Sequence, residues 1–439
     1  MRIAPQKNAP QKIAIVTDAW DPQVNGVVRT LKATKDELKK MGHDVLVLSP
    51  ALYYNLPCPT YPEIRLAVAR AATVGERLMA FAPDAVHLST EGPLCLAARR
   101  WCVRNGWQFT TAYHTQFPDY FAARTGIGAD WVWPYFRWFH AASRAVLVST
   151  PSIRDVLRQH GIAHSVPWSR GVDLSAFSPN ARSHPAFAAL PRPIQLYVGR
   201  VSIEKNIEAF LASSYPGTKV VVGEGPARAT LEVQYPDAVF LGALEGAELA
   251  GAYAGADVFV FPSHTDTFGL VMIEALASGA PVAAFPVSGP IDIVTPATGA
   301  LNNDLDAAIA QALRCDRDSC AAYGRTYTWQ ASAAQFIAAL VPALVPALVP
   351  ATEPLAQAAY GLPFASQATR SLFNRPLRKG RPFLFLTKGL PPWHSRSCLM
   401  RPLHGWSTLL RSVLNRSPIF AAFISWRFKR LPMIPPRPS

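Results

Sequence analysis

Apolar runs of strand length alternate with longer stretches of helical period through roughly the first 340 residues. Lys12–Thr17 (KIAIVT) and Asp44–Leu48 (DVLVL) read as strands, and Ala256–Phe261, ending at Pro262, as a strand buried on both faces. Between the first two, Val27–Met41 has helical period and stops at Gly42, which suits the left-handed residue just past a helix. This βαβ opening continues with AVHL at 85–88, TTAYHT at 110–115 and AVLVST at 145–150. A second series starts at Ile194 with IQLYVG. It runs on through a helix after Lys205, then TKVVVG at 218–223, AVFLG at 238–242 and ADVFVFP at 256–262. Two such series predict an α/β chain with two doubly wound Rossmann-like domains, 12–176 and 194–340, joined by the Pro/Ser-rich linker 177–193. Ligands of these sheets bind outside the carboxyl ends of the strands, so two facing sheets make a cleft.

Charge changes the picture only at one end. The formal net charge of the 439 residues is +14, yet 14 of the 43 basic residues and a single acid, Glu353, lie beyond residue 340. The body is therefore nearly neutral, which argues against a nucleic-acid partner. The basic, Pro-rich tail 341–439 has no sustained period and reads as disordered. Residues 326–352 carry no charge and are long enough to look transmembrane, but Pro342, Pro346 and Pro350 break any helix there. Out-of-frame translation is the bland alternative for this tail. Six cysteines show no zinc or C-x-x-C spacing, and the polar start MRIAPQKNAPQK shows no signal peptide. Both point to the cytoplasm, with peripheral contact at the inner face of the membrane through the tail as a further expectation.

The candidate chemistry sits at strand ends. In SHTDTFGLVMIEALASG (263–279) a strand-to-helix loop, Asp266-Thr267-Phe268-Gly269, leads into a helix at Leu270. Its N–H groups would meet an anion at the positive helix end. Glu274, one turn further in, is placed to accept from a ribose diol, and Asp266 to take a sugar hydroxyl. Strand IQLYVG runs directly into Arg200, with Lys205 at the head of the next helix, and the two cations suit a diphosphate. Isolated, such a pair is more often two solvated charges; the second anion loop on the same sheet reverses those odds. Gly223-Glu224 after TKVVV is a turn and a plausible wall for a base. Asn25-Gly26, after the first strand, either receives a phosphate or is an ordinary helix start; no G-x-G-x-x-G follows that strand. His114 ends the strand TTAYHT and, facing the cleft, is a candidate to hold a sugar hydroxyl, with Asp119 the nearest acid. The aromatic run WVWPYFRWFH (131–140) is core, or else a greasy rim for an apolar acceptor.

In order along the chain, PQVNGVVRTL (22–31), YHTQFPDY (113–120), SRGVDLSAFSP (169–179), YVGRVSIEKN (197–206), VVGEGPARATLE (221–232), GALEGAELAGAYAGADVFVFPS (242–263) and DTFGLVMIEALASGAPVAA (266–284) resemble the retaining glycosyltransferase family 4, of GT-B fold. The resemblance covers roughly residues 12–340 and implies donor binding by the second domain and acceptor binding by the first. The family's acid-x7-Glu signature stands here as Asp266 and Glu274, with Asp where many members carry Glu. It implies hexosyl transfer with retention from GDP-mannose, UDP-glucose or a UDP-hexuronate to a lipid (diacylglycerol-like) or glycan acceptor. No cofactor is expected. No Asp-x-Asp motif appears, so no obligatory metal is expected either. The rival class is a non-catalytic membrane- or nucleic-acid-binding protein that kept the fold and works through its tail.

Overall fold

The computed structural model describes residues 11–344 apart from 24, 59–60, 120–121 and 123–127. The first sheet is built from β1 (Lys12–Val16), β2 (Asp44–Leu48), β5 (Ala85–Leu88), β6 (Thr110–Tyr113), β7 (Val146–Val148) and β8 (Ser165–Pro167). All six are parallel, in the order β2-β1-β5-β6-β7-β8. A small antiparallel hairpin, β3 (Asn55–Cys58) with β4 (Tyr61–Ala67), is inserted between β2 and β5. The second sheet repeats the plan with β9 (Ile194–Val198), β10 (Thr218–Val222), β11 (Val239–Gly242), β12 (Val258–Phe261), β13 (Val282–Ala284) and β14 (Gly299–Leu301). Its order is β11-β10-β9-β12-β13-β14. The strand order reverses between β1 and β5 in one sheet and between β9 and β12 in the other, and such reversals open the crevice that ligands use.

The central apolar strands β1 and β12 are buried on both faces, whereas β2, at the sheet edge, is only partly buried. On β1, Ile13 and Ile15 pack with Leu31, Leu38 and Trp168, while Ala14 and Val16 pack with Val86, Leu88 and Leu94 on the opposite side. On β12, Phe259 and Phe261 face one core, and Val258 and Val260 the other.

The last helix departs from the chain order. Trp329–Ala339 follows the second series in sequence, yet Phe336 is fully buried among Ile13, Ile15, Leu31 and Trp168 of the first domain. Beyond it Pro342 bridges to Ala85, and Ala343 is buried, its N–H and C=O bonded to Asp84 and Gln108. So the start of the region read as a disordered tail, 341–344, is packed structure; the rest of that reading lies outside the described residues. Among the described residues no helix is long and apolar enough to cross a membrane, and Cys95, Cys102, Cys315 and Cys320 are free thiols.

Candidate active site

The second sheet brings its site together at the strand-order reversal. The loop after β9 carries Arg200, half-buried, and Lys205; the loop after β12 carries Asp266. The side chain of Asn206, held at φ 51°, bonds the carbonyl of Pro262 and ties the two loops. Lys205 Nζ stands 2.7 Å from each carboxylate oxygen of Asp266, with both side chains about one-fifth exposed (23% and 18%). The predicted diphosphate cation and the predicted sugar-binding acid are thus each other's partners in this state. Gly223 is required here for close approach: its φ is +139°, and a Cβ would lie 1.9 Å from the carbonyl oxygen of Gly199. The exposed carboxylate of Glu224 pairs with Arg228, one turn further on.

The loop at 266–269 is also the bridge to the first domain. Thr267 donates its hydroxyl to the His114 carbonyl at 2.6 Å, and its own carbonyl accepts from Ser149 and Thr150 at 3.0 and 3.2 Å. Gln116 donates to the Asp266 carbonyl. Gly269, at φ +83°, turns the chain into the helix Leu270–Ala277, and Phe268 is buried against Tyr327. The sequence reading missed Gln116, Ser149 and Thr150, which occupy loops with no regular period.

Glu274 is almost fully buried, and a buried carboxylate needs a partner. Arg29, from the helix Gly26–Lys40 of the first domain, supplies an ion pair, and the Tyr253 hydroxyl donates at 3.0 Å. Burial, and then the Glu274 charge, push the Tyr253 phenol well up, which keeps it a donor. A pocket of about 220 Å³ lined by Arg29, Gly171, Asp173 and Trp329 opens beside Glu274. Arg29 carries the first-domain side of this contact, and its only trace in the sequence is its place four residues after Asn25. Asn25 itself is an ordinary cap, its side chain accepting from Val28 N at 3.0 Å, and Gly26 sets the helix start against Leu270.

His114 is nine-tenths buried just past β6. Its Nδ1 lies 3.1 Å from Arg170 Nη2, its ring meets Trp168 edge-on at 5.3 Å, and its Nε2 is buried with no hydrogen-bond partner. Burial first, then the Arg170 and His87 charges, hold its pKa well below the usual histidine value, so the ring is neutral at pH 7. Ser202, Ser263 and Thr265, on the loops after β9 and β12, also bury hydroxyls without partners. Native proteins rarely leave such groups unpaired, and a hydroxyl-rich ligand is what they would pair with. Asp119 turns elsewhere, towards His160, with burial raising its pKa. The aromatic run is core: Trp133, Phe136, Phe139 and His140 are buried, and of its aromatic residues Trp131 alone is strongly exposed. Among the described residues no group of three or more His, Cys, Asp and Glu side chains converges as a metal site.

Cations, a helix start and orphan hydroxyls at one sheet edge, faced by a neutral histidine from the other, define a two-domain enzyme that holds a phosphorylated, hydroxyl-rich donor. Residues 24–176 match the model of Glycosyltransferase Family 4 and residues 192–315 that of Glycosyl transferases group 1. The chain belongs to glycosyltransferase family 4. It is similar to the GDP-mannose-dependent alpha-mannosyltransferase of Mycolicibacterium smegmatis, 34% identical over 322 residues that make up 67% of this chain and 85% of the relative. The alpha-monoglucosyldiacylglycerol synthase of Streptococcus pneumoniae is 27% identical over 62% of this chain and 70% of its own. Among solved structures, the sucrose-phosphate synthase from Thermosynechococcus elongatus shares the fold, with a TM-score of 0.61 at 23% identity over 74% of this chain and 97% of that one. These findings and the site favour an enzyme over the binding-protein reading.

Proposed function

We propose that the protein transfers mannose from GDP-mannose, with retention of configuration, to a hydroxyl of a lipid or glycan acceptor. The observation that carries this reading is the convergence of Lys205, Asp266, Glu274 and the partnerless Nε2 of His114 around one cleft. Cleavage of the sugar–phosphate bond leaves negative charge on the diphosphate. Arg200 and Lys205 stabilise that charge together with the N–H groups at the start of the helix Leu270–Ala277. Once Lys205 turns to the phosphate, Asp266 is released to accept from a sugar hydroxyl, and His114 Nε2–H donates to another. Glu274 accepts from the ribose diol after exchanging Arg29. The acceptor hydroxyl attacks from the face the phosphate leaves, and a departing phosphate oxygen takes its proton. The mannose donor is favoured by the mycobacterial relative, and a diacylglycerol-type acceptor by the pneumococcal one. Peripheral membrane contact through the 14 basic residues beyond 340 belongs to the same reading.

A panel of GDP-mannose, UDP-glucose and UDP-glucuronate in thermal unfolding tests it. A donor at 100 times its Kd stabilises by roughly 2.7 kcal/mol. A shift with GDP-mannose alone supports the assignment; a shift confined to a uridine donor replaces it.

A further inference from the structure

Arg170, in the stretch WSRGVD, is a guanidinium almost wholly removed from water, and no carboxylate lies within ion-pair distance of it among the described residues. Burial lowers its pKa to about 9. Isolating a cation in this way is costly, so its remaining contacts show what it is for. Nη1 donates to the carbonyls of Trp168 (2.6 Å) and Ser169 (3.3 Å), and the guanidinium lies 4.7 Å from the centre of the Trp168 ring. These contacts anchor one edge of the fork. The other edge, Nη2, points to His114 Nδ1 at 3.1 Å.

A guanidinium has five N–H donors and no acceptor. The nitrogen facing it must therefore offer a lone pair, and a neutral imidazole that accepts at Nδ1 carries its proton on Nε2. That nitrogen is buried and has no partner. Trp168 closes the third side, with its ring edge-on to His114 and its carbonyl held by Arg170. The imidazole cannot exchange tautomers without leaving Arg170 facing an N–H.

We propose that Arg170 is a positioning residue for sugar transfer, fixing His114 as the tautomer that presents a donor N–H at Nε2 to a hydroxyl of the donor sugar. The transfer part of this rests on the function proposed above; the hold on the ring does not. His114 is thereby kept from acting as a general base at Nε2, and its task is to orient the sugar. Arg170 touches neither substrate nor reacting atom.

The test uses the full-length protein labelled with ¹⁵N-histidine, the His114 signals being assigned by their loss in His114→Gln. Wild type is expected to show a protonated Nε2 and a bare Nδ1. Arg170→Met removes the donor and is expected to abolish that preference. Arg170→Lys keeps a donor within reach while losing the fork's second edge, and is expected to retain it. Activity follows the same order: Arg170→Met lowers kcat/KM for GDP-mannose by about 10- to 100-fold, as the loss of one buried hydrogen bond to a sugar implies. Binding of GDP, which has no sugar, stays within about twofold, and Arg170→Lys recovers most of the loss. A merely structural arginine would weaken GDP binding equally in both variants and leave the imidazole signals alone. A wild-type His114 protonated at Nδ1 overturns the proposal, as does an unchanged Nε2–H signal in Arg170→Met. Should Arg170→Met fail to fold, the wild-type and Arg170→Lys spectra still decide. If the tautomer moves as expected but His114→Ala transfers mannose normally, the sugar role of His114 fails and the transfer role of Arg170 with it.

Discussion

The ammonium of Lys205 bisects the carboxylate of Asp266, 2.7 Å from either oxygen, across two loops separated by 61 positions in the chain. On the proposed function, a phosphate and a sugar compete for this paired cation and acid at the strand-order reversal. Lys205→Ala is expected to lower turnover by about 10²-fold or more, like the loss of an oxyanion donor. Arg200→Ala should do the same. Because the pair is partly exposed, the unfolding midpoint should move by only a few degrees. Rapid-quench transfer at saturating donor checks this, and near-normal turnover in either variant removes the diphosphate assignment.

Glu274 is expected to separate from its cross-domain partner in its effect on nucleotide binding. Glu274→Gln should weaken GDP by about 10- to 100-fold, since a charged acceptor for the ribose diol is lost. Arg29→Ala releases the same carboxylate and should leave GDP affinity equal or tighter. Titration calorimetry gives both numbers; equal weakening would make Arg29 part of the nucleotide site.

Transfer is expected to persist in excess EDTA. The reason is the presence of two cations where charge develops, a task that a divalent ion performs in other transferases. Complete loss of activity, restored by Mg²⁺ or Mn²⁺, would contradict it.

Stability should decline as the pH falls below about 6.5. Burial pushes the His87 pKa down to about 3 and holds that of His114 well below its ordinary value. The unfolded chain binds their protons from about pH 6.5 downward while the folded chain does not, so the stabilisation is complete above that pH and is lost as pH falls towards about 3. His87 removes about 2 kcal/mol between pH 7 and pH 5, and His114 acts in the same direction. Asp18 and Glu91, raised by burial, begin to offset this lower down. Thermal midpoints from pH 7.5 to 5.5 should fall, and His87→Asn should flatten the slope; a flat wild-type profile would show that neither ring is held neutral.

Phe336→Ala is expected to cost about 3–5 kcal/mol, the usual penalty for emptying a buried aromatic site. Denaturant titration followed through Trp168 fluorescence would report it. A change below about 1 kcal/mol would mean the last helix is dispensable to the first domain's core.

The central strands were legible because burial on both faces forbids polar alternation, and AVHL and VFVF coincide with β5 and β12. The place of the loop 266–269 was legible too, since TDTFG lies between a strand and a helix, each with its own period. The position of Phe336 was not. A uniformly apolar helix shows no preferred face, so its sequence does not say which sheet it covers. Arg29 and Arg170 were likewise invisible, because nothing in the local sequence marks a cation whose partner, 245 or 56 positions away, is brought beside it only by the fold.

That last helix has a mechanical consequence. The chain passes between the domains twice, and the two passages touch: Val172 N bonds the Tyr327 carbonyl at 3.1 Å, and Gly171 lies so close to Trp329 that a Cβ would sit 2.3 Å from its backbone nitrogen. Two adjoining crossings behave as a single pivot and leave the halves essentially one swinging degree of freedom. Opening about that pivot parts Thr267 from His114 and Glu274 from Arg29, while the crossings themselves stay joined. On the proposed function, donor entry would be the movement of a jaw on a fixed pin, and Gly171→Ala, whose Cβ would meet the Trp329 backbone, is expected to jam that pin.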